Sequence, residues 1–270
     1  MIEIDRVTKV YPKGREFVQA LSSISLSIRE HEFVSILGPS GCGKSTLIQM
    51  VSGLLPTSQG TVHIGGERVS GPYKNLGIVF QRDALLSWRT ALGNVMLQCE
   101  IRHLPMAEYG PLAVSLLRRV GLGGFEHSFP DELSGGMRQR VALCRALIHG
   151  APLLLMDEPF GALDALTRDQ LGLDLLRIWE QDRKTVMFVT HSVPESVLLS
   201  DRIVVMSPRP GRVEAELVID LPRPRTLSIT ETPEFNAYTR RIHDIFRATG
   251  VLAEDEAQPQ AAGGERHDHS

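Results

Sequence analysis

Short apolar runs bounded by glycine, proline or polar residues recur along the chain and set out its elements. Residues 2–7 alternate apolar with polar, and so do residues 21–28, where Ile24, Leu26 and Ile28 fall on one side. Both stretches predict strands with one buried face. Between them Val10-Tyr11-Pro12-Lys13-Gly14 reads as a turn carrying one aromatic. Phe33–Leu37 is apolar and partly β-branched, the pattern of a buried strand. Helix-compatible residues 46–52 come soon after and stop at Gly53. Residues 61–66 predict a strand running into a turn, and residues 76–80 a further short strand.

The texture then changes. Residues 82 to about 150 carry helical periodicity and no convincing strand, with 112–120 a helix closed by Gly121 and 137–148 another closed by Gly150. Beyond them, residues 153–156, Thr185–Thr190 and Arg202–Met206 read as strands, and 164–180 and Pro233–Ala248 as helices. Strands alternating with helices imply an α/β protein with a mainly parallel sheet. Residues 1–81 and 151–206 form its core, 82–150 a helical insertion and 207–250 a C-terminal extension. Within the extension, residues 207–225 are rich in Pro and Arg and suggest an extended surface segment. Residues 251–270 are polar and expected to be a disordered tail, in which His267 and His269 read as solvated rather than metal-binding.

Composition narrows the picture by exclusion. Of 270 residues, 42% are hydrophobic and 23% charged, and the net charge is −3, so no global electrostatic attraction for nucleic acid exists. No apolar run approaches the ~20 residues of a membrane-spanning helix. Met1-Ile2-Glu3-Ile4-Asp5 lacks the basic-then-apolar layout of a signal peptide. Cys42, Cys99 and Cys144 make no disulfide framework, and a reducing cytosol is the simple expectation.

Chemistry enters at Gly38-Pro39-Ser40-Gly41-Cys42-Gly43-Lys44-Ser45-Thr46, which fits the phosphate-binding G-x-x-x-x-G-K-[ST] loop. It lies between a predicted strand and a predicted helix, the context that gives the pattern physical meaning. Glycines let the backbone curl so that successive N–H groups face phosphate oxygens, and the helix adds the positive end of its dipole. Lys44 is expected to reach the terminal phosphates, Ser45 to hold Mg²⁺, and Thr46 to add a phosphate contact. A thiol at Cys42, inside this loop, is expected to be alkylated with loss of activity and protected by nucleotide.

Gln81, Asp157 and His191 follow directly on predicted strands, where ligands of such sheets bind, and Glu158 stands one residue beyond Asp157. Asp157 can hold Mg²⁺ across from Ser45, and Glu158 can accept a proton from, or orient, an attacking water. Gln81 can ligate Mg²⁺ or position water, and His191 stands beside the expected γ-phosphate. Leu133-Ser134-Gly135-Gly136 is a second phosphate-binding surface: Ser134 caps a helix and two glycines leave its N–H groups bare. A phosphate held at the first surface needs no second one on the same chain, so a dimer is the economical arrangement.

Leu133-Ser134-Gly135-Gly136, placed between the P-loop and Asp157-Glu158, resembles the signature motif of ABC ATPases. The resemblance covers roughly residues 2–225 and implies a P-loop ATPase core with an N-terminal antiparallel β part and a helical subdomain. It implies a head-to-tail dimer with two ATP, each between the P-loop of one copy and Ser134, Gly135 and Gly136 of the other. By the family pattern Tyr11 stacks on adenine, Gln81 is the Q-loop residue and Asp157 holds Mg²⁺. Glu158 is the catalytic carboxylate, Ala162-Leu163-Asp164 the D-loop and His191 the switch histidine. Met137 departs from the usual Gln of the signature's fifth position. The run from Ala84 to Val95, with Leu85, Leu86 and Trp88, is similar to that of nitrate, sulfonate and taurine importers, as are Ser207-Pro208-Arg209-Pro210-Gly211-Arg212 and Leu221-Pro222-Arg223-Pro224-Arg225. The expectation is therefore an importer's ATPase at the cytoplasmic face of the inner membrane. It would be coupled to permease subunits near Gln81 and Trp88 and indirectly to a solute-binding protein. Another importer class, or a soluble ABC ATPase, is the alternative.

Overall fold

The computed structural model describes residues 1–252 apart from Arg15 and Ala162. The expectation for the tail, His267 and His269 included, lies outside the described residues beyond Leu252.

Strands β1 (Ile2–Lys13) and β2 (Glu16–Ile28) form an antiparallel ribbon with Ile2 opposite Ile28 and Lys13 opposite Glu16. The alternation seen in the sequence buries Ile2, Ile4, Ile24, Leu26 and Ile28. Of the expected turn, residues 10–13 are instead strand, and Gly14, left-handed at φ 64°, belongs to the turn between β1 and β2. Pro12 is tolerated because the ribbon there has run past Thr8, the last residue of β1 paired with β4 (Gln59–Ile64).

The chain then continues through β3 (Phe33–Leu37), α1 (Lys44–Val51), β4, the short β5 (Glu67–Arg68) and β6 (Leu76–Val79). Next come α2 (Ala91–Ile101), α3 (Met106–Arg119) and α4 (Gly135–Leu147). After them follow β7 (Leu153–Asp157), α5 (Ala165–Asp182), β8 (Thr185–Thr190), α6 (Val193–Leu199), β9 (Arg202–Met206), β10 (Val213–Val218) and α7 (Pro233–Ala248). Helix α3 runs through Pro111 from Met106, earlier than the expected start at residue 112. Helix α4 opens at Gly135 rather than residue 137, because Ser134 caps it.

Two sheets result. One has the order β2-β1-β4-β5; the other has the order β10-β9-β3-β8-β7-β6, parallel except for β10. Every residue of β3, β7 and β8 is buried, as continuous apolar runs in a parallel sheet require. The register aligns Leu37 with Thr190, Asp157 with Val189, and Val79 with Met156. The residues that follow these positions leave the sheet on one edge.

Helices α2, α3 and α4 share the sheet's core through Val95, Leu117, Val141 and Cys144, packed with Leu154 and Met156. Each such fully buried aliphatic side chain contributes about 1.5–3 kcal/mol. Residues 207–225 are extended, as expected, and lie at the sheet edge with exposed residues alternating with buried ones. Strand β10 pairs with β9, and Ser207, Ile219, Leu221 and Arg225 are buried.

Candidate active site

The P-loop curls through two left-handed glycines, Gly41 at φ 77° and Gly43 at φ 104°. A side chain at Gly43 would also meet Leu21, its Cβ only 2.5 Å from Leu21 Cδ2. Gly43 is the N-cap of α1 and offers no side-chain cap, so the first N–H groups of the helix are left for a ligand. Ser40 and Gly41 form the exposed lip. The Cys42 side chain, 1% exposed, turns inward among Leu47, Ile48 and Met206, and burial pushes its thiol up. Burial of the side chain and the raised thiol both work against the expected alkylation and slow it relative to an exposed thiol.

Lys44 is nearly buried. Its Nζ donates to the carbonyls of Gly38 at 2.8 Å and Pro39 at 3.1 Å, and lies 3.4 Å from Glu158 Oε1. Ser45 Oγ donates to Asp157 Oδ1 at 2.9 Å. Burial holds the Asp157 carboxyl above the ordinary carboxylate range; the bond from Ser45 and the charge of Lys44 oppose this, and Glu158 adds to it. Buried hydroxyl and carboxylate oxygens facing each other at the mouth of a P-loop are the hard donors that suit Mg²⁺. Two protein ligands leave the remaining positions to phosphate and water.

Glu158 is the hub. Its Oε2 accepts from Gln81 Nε2 at 3.2 Å and lies 3.2 Å from His191 Nδ1. Its backbone is left-handed, φ 44°, held by an N–H bond to Val189 O at 2.9 Å. A strained backbone of this kind costs on the order of 1 kcal/mol and persists only where the surroundings fix it. The sheet thus brings Lys44, Gln81 and His191 onto one carboxylate. Tyr11 joins from β1, its hydroxyl 3.4 Å from Thr46 Oγ1.

The remaining expected residues stand apart. Ser134 accepts from Met137 N at 3.3 Å and caps α4. Among the described residues no hydrogen bond joins Ser134, Gly135 or Gly136 to residues 38–46. Exposed Asp164 caps α5, accepting from Thr167 N at 3.0 Å, and these bonds hold its carboxyl below the ordinary range.

One network escaped the sequence reading. Thr190 Oγ1 donates to Glu195 Oε2 at 2.6 Å and accepts from Ser192 N at 3.0 Å, fixing the turn that carries His191. Ser192-Val193-Pro194-Glu195 has the S-x-x-E spacing of a capped helix start, a signal for α6. Of the run from Ala84, Leu85 packs on the core whereas Trp88 is 72% exposed. Buried Asn94 staples the run, accepting from Leu86 N at 2.7 Å and donating to Arg89 O at 2.9 Å. Beside Phe80 opens a cavity of about 620 Å³ lined by Leu54, Tyr73, Phe80, Ile101 and Arg102.

Fold and geometry together define a P-loop nucleotide-phosphate site at the carboxyl edge of a parallel sheet. The family profile described as ABC transporter matches residues 21–161. The taurine import ATP-binding protein of Rhizobium johnstonii is 43% identical over 93% of this chain and 98% of its own length. The aliphatic sulfonates import ATP-binding protein of Bacillus cereus is 39% identical over the same shares. Among solved structures, the dimeric post-hydrolysis state of the ATP-binding cassette MJ0796 bound to ADP and Pi superposes with a TM-score of 0.74. It is 34% identical and covers 82% of this chain and 100% of its own. The chain belongs to the ABC transporter family and is an ATP-hydrolysing, ATP-binding subunit of it.

Proposed function

We propose that this chain is the motor subunit of an importer for a small organic or inorganic anion of the taurine, aliphatic sulfonate or nitrate type. The observation that carries the motor reading is the convergence of Lys44, Gln81 and His191 on Glu158. Taurine and aliphatic sulfonates are the solutes in the names of relatives aligned over nearly the whole chain, and nitrate comes from the resemblance of residues 84–95, 207–212 and 221–225.

In this reading the backbone N–H groups of residues 38–46 bind the phosphates of ATP, and Lys44 leaves its two carbonyl partners to neutralise the terminal ones. Mg²⁺, held by Ser45 and Asp157 with Gln81 near by, supplies charge neutralisation at the phosphates. Glu158 takes a proton from the attacking water, and His191 orients Glu158 and the γ-phosphoryl. Tyr11 stacks on adenine. Ser134, Gly135 and Gly136, which make no hydrogen bond to their own P-loop among the described residues, contact the nucleotide of a second copy arranged head to tail, with Asp164 at the junction.

Among the described residues no helix is long and apolar enough to cross a membrane. Coupling therefore runs through a peripheral contact at the cytoplasmic face. Exposed Ile101, at 63%, and Leu54, at 52%, line the cavity beside Phe80, which suits a short helix of a permease subunit. No nucleic acid is required.

The test is growth of a strain lacking this chain on a panel of sole sulfur and nitrogen sources. Loss of growth on a sulfonate, taurine or nitrate, restored by the wild-type chain and not by Glu158→Gln, is the expected result. Normal growth on every such source would overturn the solute class, and rescue by Glu158→Gln would overturn the role of Glu158.

A further inference from the structure

Helix α6 has seven residues, too short to hold its own position in water. His191 leaves β8 just ahead of it, so the place of that imidazole depends on what ties the helix down. At the N-terminal end the ties are Thr190, Ser192 and Glu195, already described. At the C-terminal end the tie comes from the extension. Arg225 is 4% exposed. Its Nη1 donates to the carbonyls of Val197 at 3.1 Å, Leu198 at 3.1 Å and Ser200 at 2.7 Å. Its Nη2 donates to those of Ile219 and Leu221, both at 3.2 Å.

All of these acceptors are backbone oxygens. The guanidinium sits where the last carbonyls of α6 lack helical partners and the helix dipole is negative. Burial lowers Arg225 to about 10, so it stays charged at neutral pH. Arg223 completes the grip, donating to Leu199 O at 2.8 Å and to Asp201 Oδ1 at 2.7 Å. Asp201 Oδ2 in turn accepts from Phe33 N at 2.9 Å, at the start of the strand that leads into the P-loop.

We infer that Arg225 is a positioning residue of the ATPase site, holding α6 by its C-terminal carbonyls so that His191 stays against Glu158. A planar guanidinium fork reaching several carbonyls at once adds a directional hold to the packing of the buried Val193, Val197 and Leu199 of α6. The inference rests on the reading of His191 and Glu158 as catalytic partners.

The experiment is steady-state ATPase kinetics of the full chain carrying Arg225→Met, Arg225→Lys, His191→Ala and the double substitution Arg225→Met/His191→Ala. Equilibrium ATP binding is measured alongside. Arg225→Met is expected to lower kcat about tenfold while ATP affinity stays within about twofold. Arg225→Lys keeps the charge but has fewer donors than the carbonyls need, so it should fall between Met and wild type. The double substitution should turn over no more slowly than His191→Ala alone, because both act through the same imidazole.

Losses that multiply in the double substitution, or a loss of ATP binding in step with kcat, would show a merely structural role and overturn the inference. Should Arg225→Met fail to fold, the same cycle run with Arg225→Lys decides. If His191→Ala itself turns over normally, the reading of His191 fails and the role of Arg225 falls with it. That outcome is distinct from a His191 effect with which Arg225 does not couple.

Discussion

The P-loop and the mouth of α4, which we propose as the second phosphate-binding surface, are finished to different degrees. At the P-loop the side chains close on one another: Lys44 on two carbonyls and Glu158, Ser45 on Asp157, and Gln81 and His191 on Glu158. At the second surface Ser134 bonds only within its own helix start, and Gly135 and Gly136 leave the helix mouth bare. The first surface is assembled by one sheet, whose register places the contributing strand ends side by side. The second is the mouth of a helix, packed on α5 at Gly136 and not hydrogen-bonded to the P-loop among the described residues. Physically, that difference is what a site shared between two copies requires.

The glycine pair gives the largest test of this contrast. A Cβ at Gly136 would lie 2.7 Å from Thr167 Cγ2, so Gly136→Ala disturbs the packing of α4 on α5 within one chain. At Gly135 the nearest neighbour of a Cβ is Arg138 Nη2, at 3.9 Å. Gly135→Ala should therefore fold normally and, with alanine's better helix propensity, melt no lower. If a second copy's nucleotide approaches this backbone, the same substitution should cut turnover by about 100-fold while leaving ATP binding to the single chain unchanged. Full turnover in Gly135→Ala would break the comparison, because the second surface would then have no partner.

Much of this arrangement is legible in the residues, and the parts that are not share a cause. The buried strands Phe33–Leu37, Thr185–Thr190 and Arg202–Met206 read correctly because continuous apolar runs between polar ends have one outcome in a parallel sheet. The P-loop reads from its own spacing. Residues 10–13 misread because Pro12 signals a turn locally, whereas the ribbon tolerates it through its distant edge position. Within residues 207–225 the burial of Arg225 does not show, because an arginine in sequence gives no sign that backbone carbonyls surround it: its partners are oxygens of α6 and of the residues that follow β10. The burial of Cys42 does not show in the residues because the sequence does not say which way a loop side chain turns. In each case the deciding partner is far along the chain.

A smaller effect sharpens the contrast from behind the P-loop. Gly211 is bracketed by β2, its N–H donating to Ala20 O at 2.9 Å and its carbonyl accepting from Ser22 N at 2.8 Å. A Cβ there would lie 2.0 Å from the Cys42 carbonyl oxygen, a backbone atom of the P-loop. Its own φ suits any residue, so the penalty of Gly211→Ala is steric and is transmitted to the loop. ATP affinity should fall about tenfold, in a chain whose second surface is untouched. Gly135→Ala and Gly211→Ala should thus separate cleanly, one losing turnover with binding kept and the other losing binding. Equal ATP affinity in Gly211→Ala and wild type, measured by titration, would show that the loop does not depend on this backing.

The smallest effect concerns charge. Asp157, at the first surface, has a carboxyl raised by burial, so between its ordinary value and the raised one the folded chain keeps a proton that the unfolded chain gives up. Stability therefore falls as pH rises through that window, and at pH 7 the nucleotide-free protein carries the cost of a buried carboxylate. Asp164, beside the second surface, is lowered by its bonds to Thr167, so its contribution is present above the ordinary value and is lost as pH falls through the lowered one. The same Asp→Asn substitution should then have opposite signs. Without nucleotide at pH 7, Asp157→Asn should raise the Tm by roughly 2 °C, and exposed Asp164→Asn should lower it by about 1 °C or less. The Asp157 difference should shrink as pH falls toward 4, where the folded carboxyl takes up its proton, whereas the Asp164 difference should persist there and fade only at lower pH. A lower Tm in Asp157→Asn at pH 7 would mean that Lys44 and Ser45 already compensate the buried charge. The first surface would then be complete without a cation, and the contrast between a strained, ligand-demanding P-loop half and a relaxed second half would lose its energetic basis.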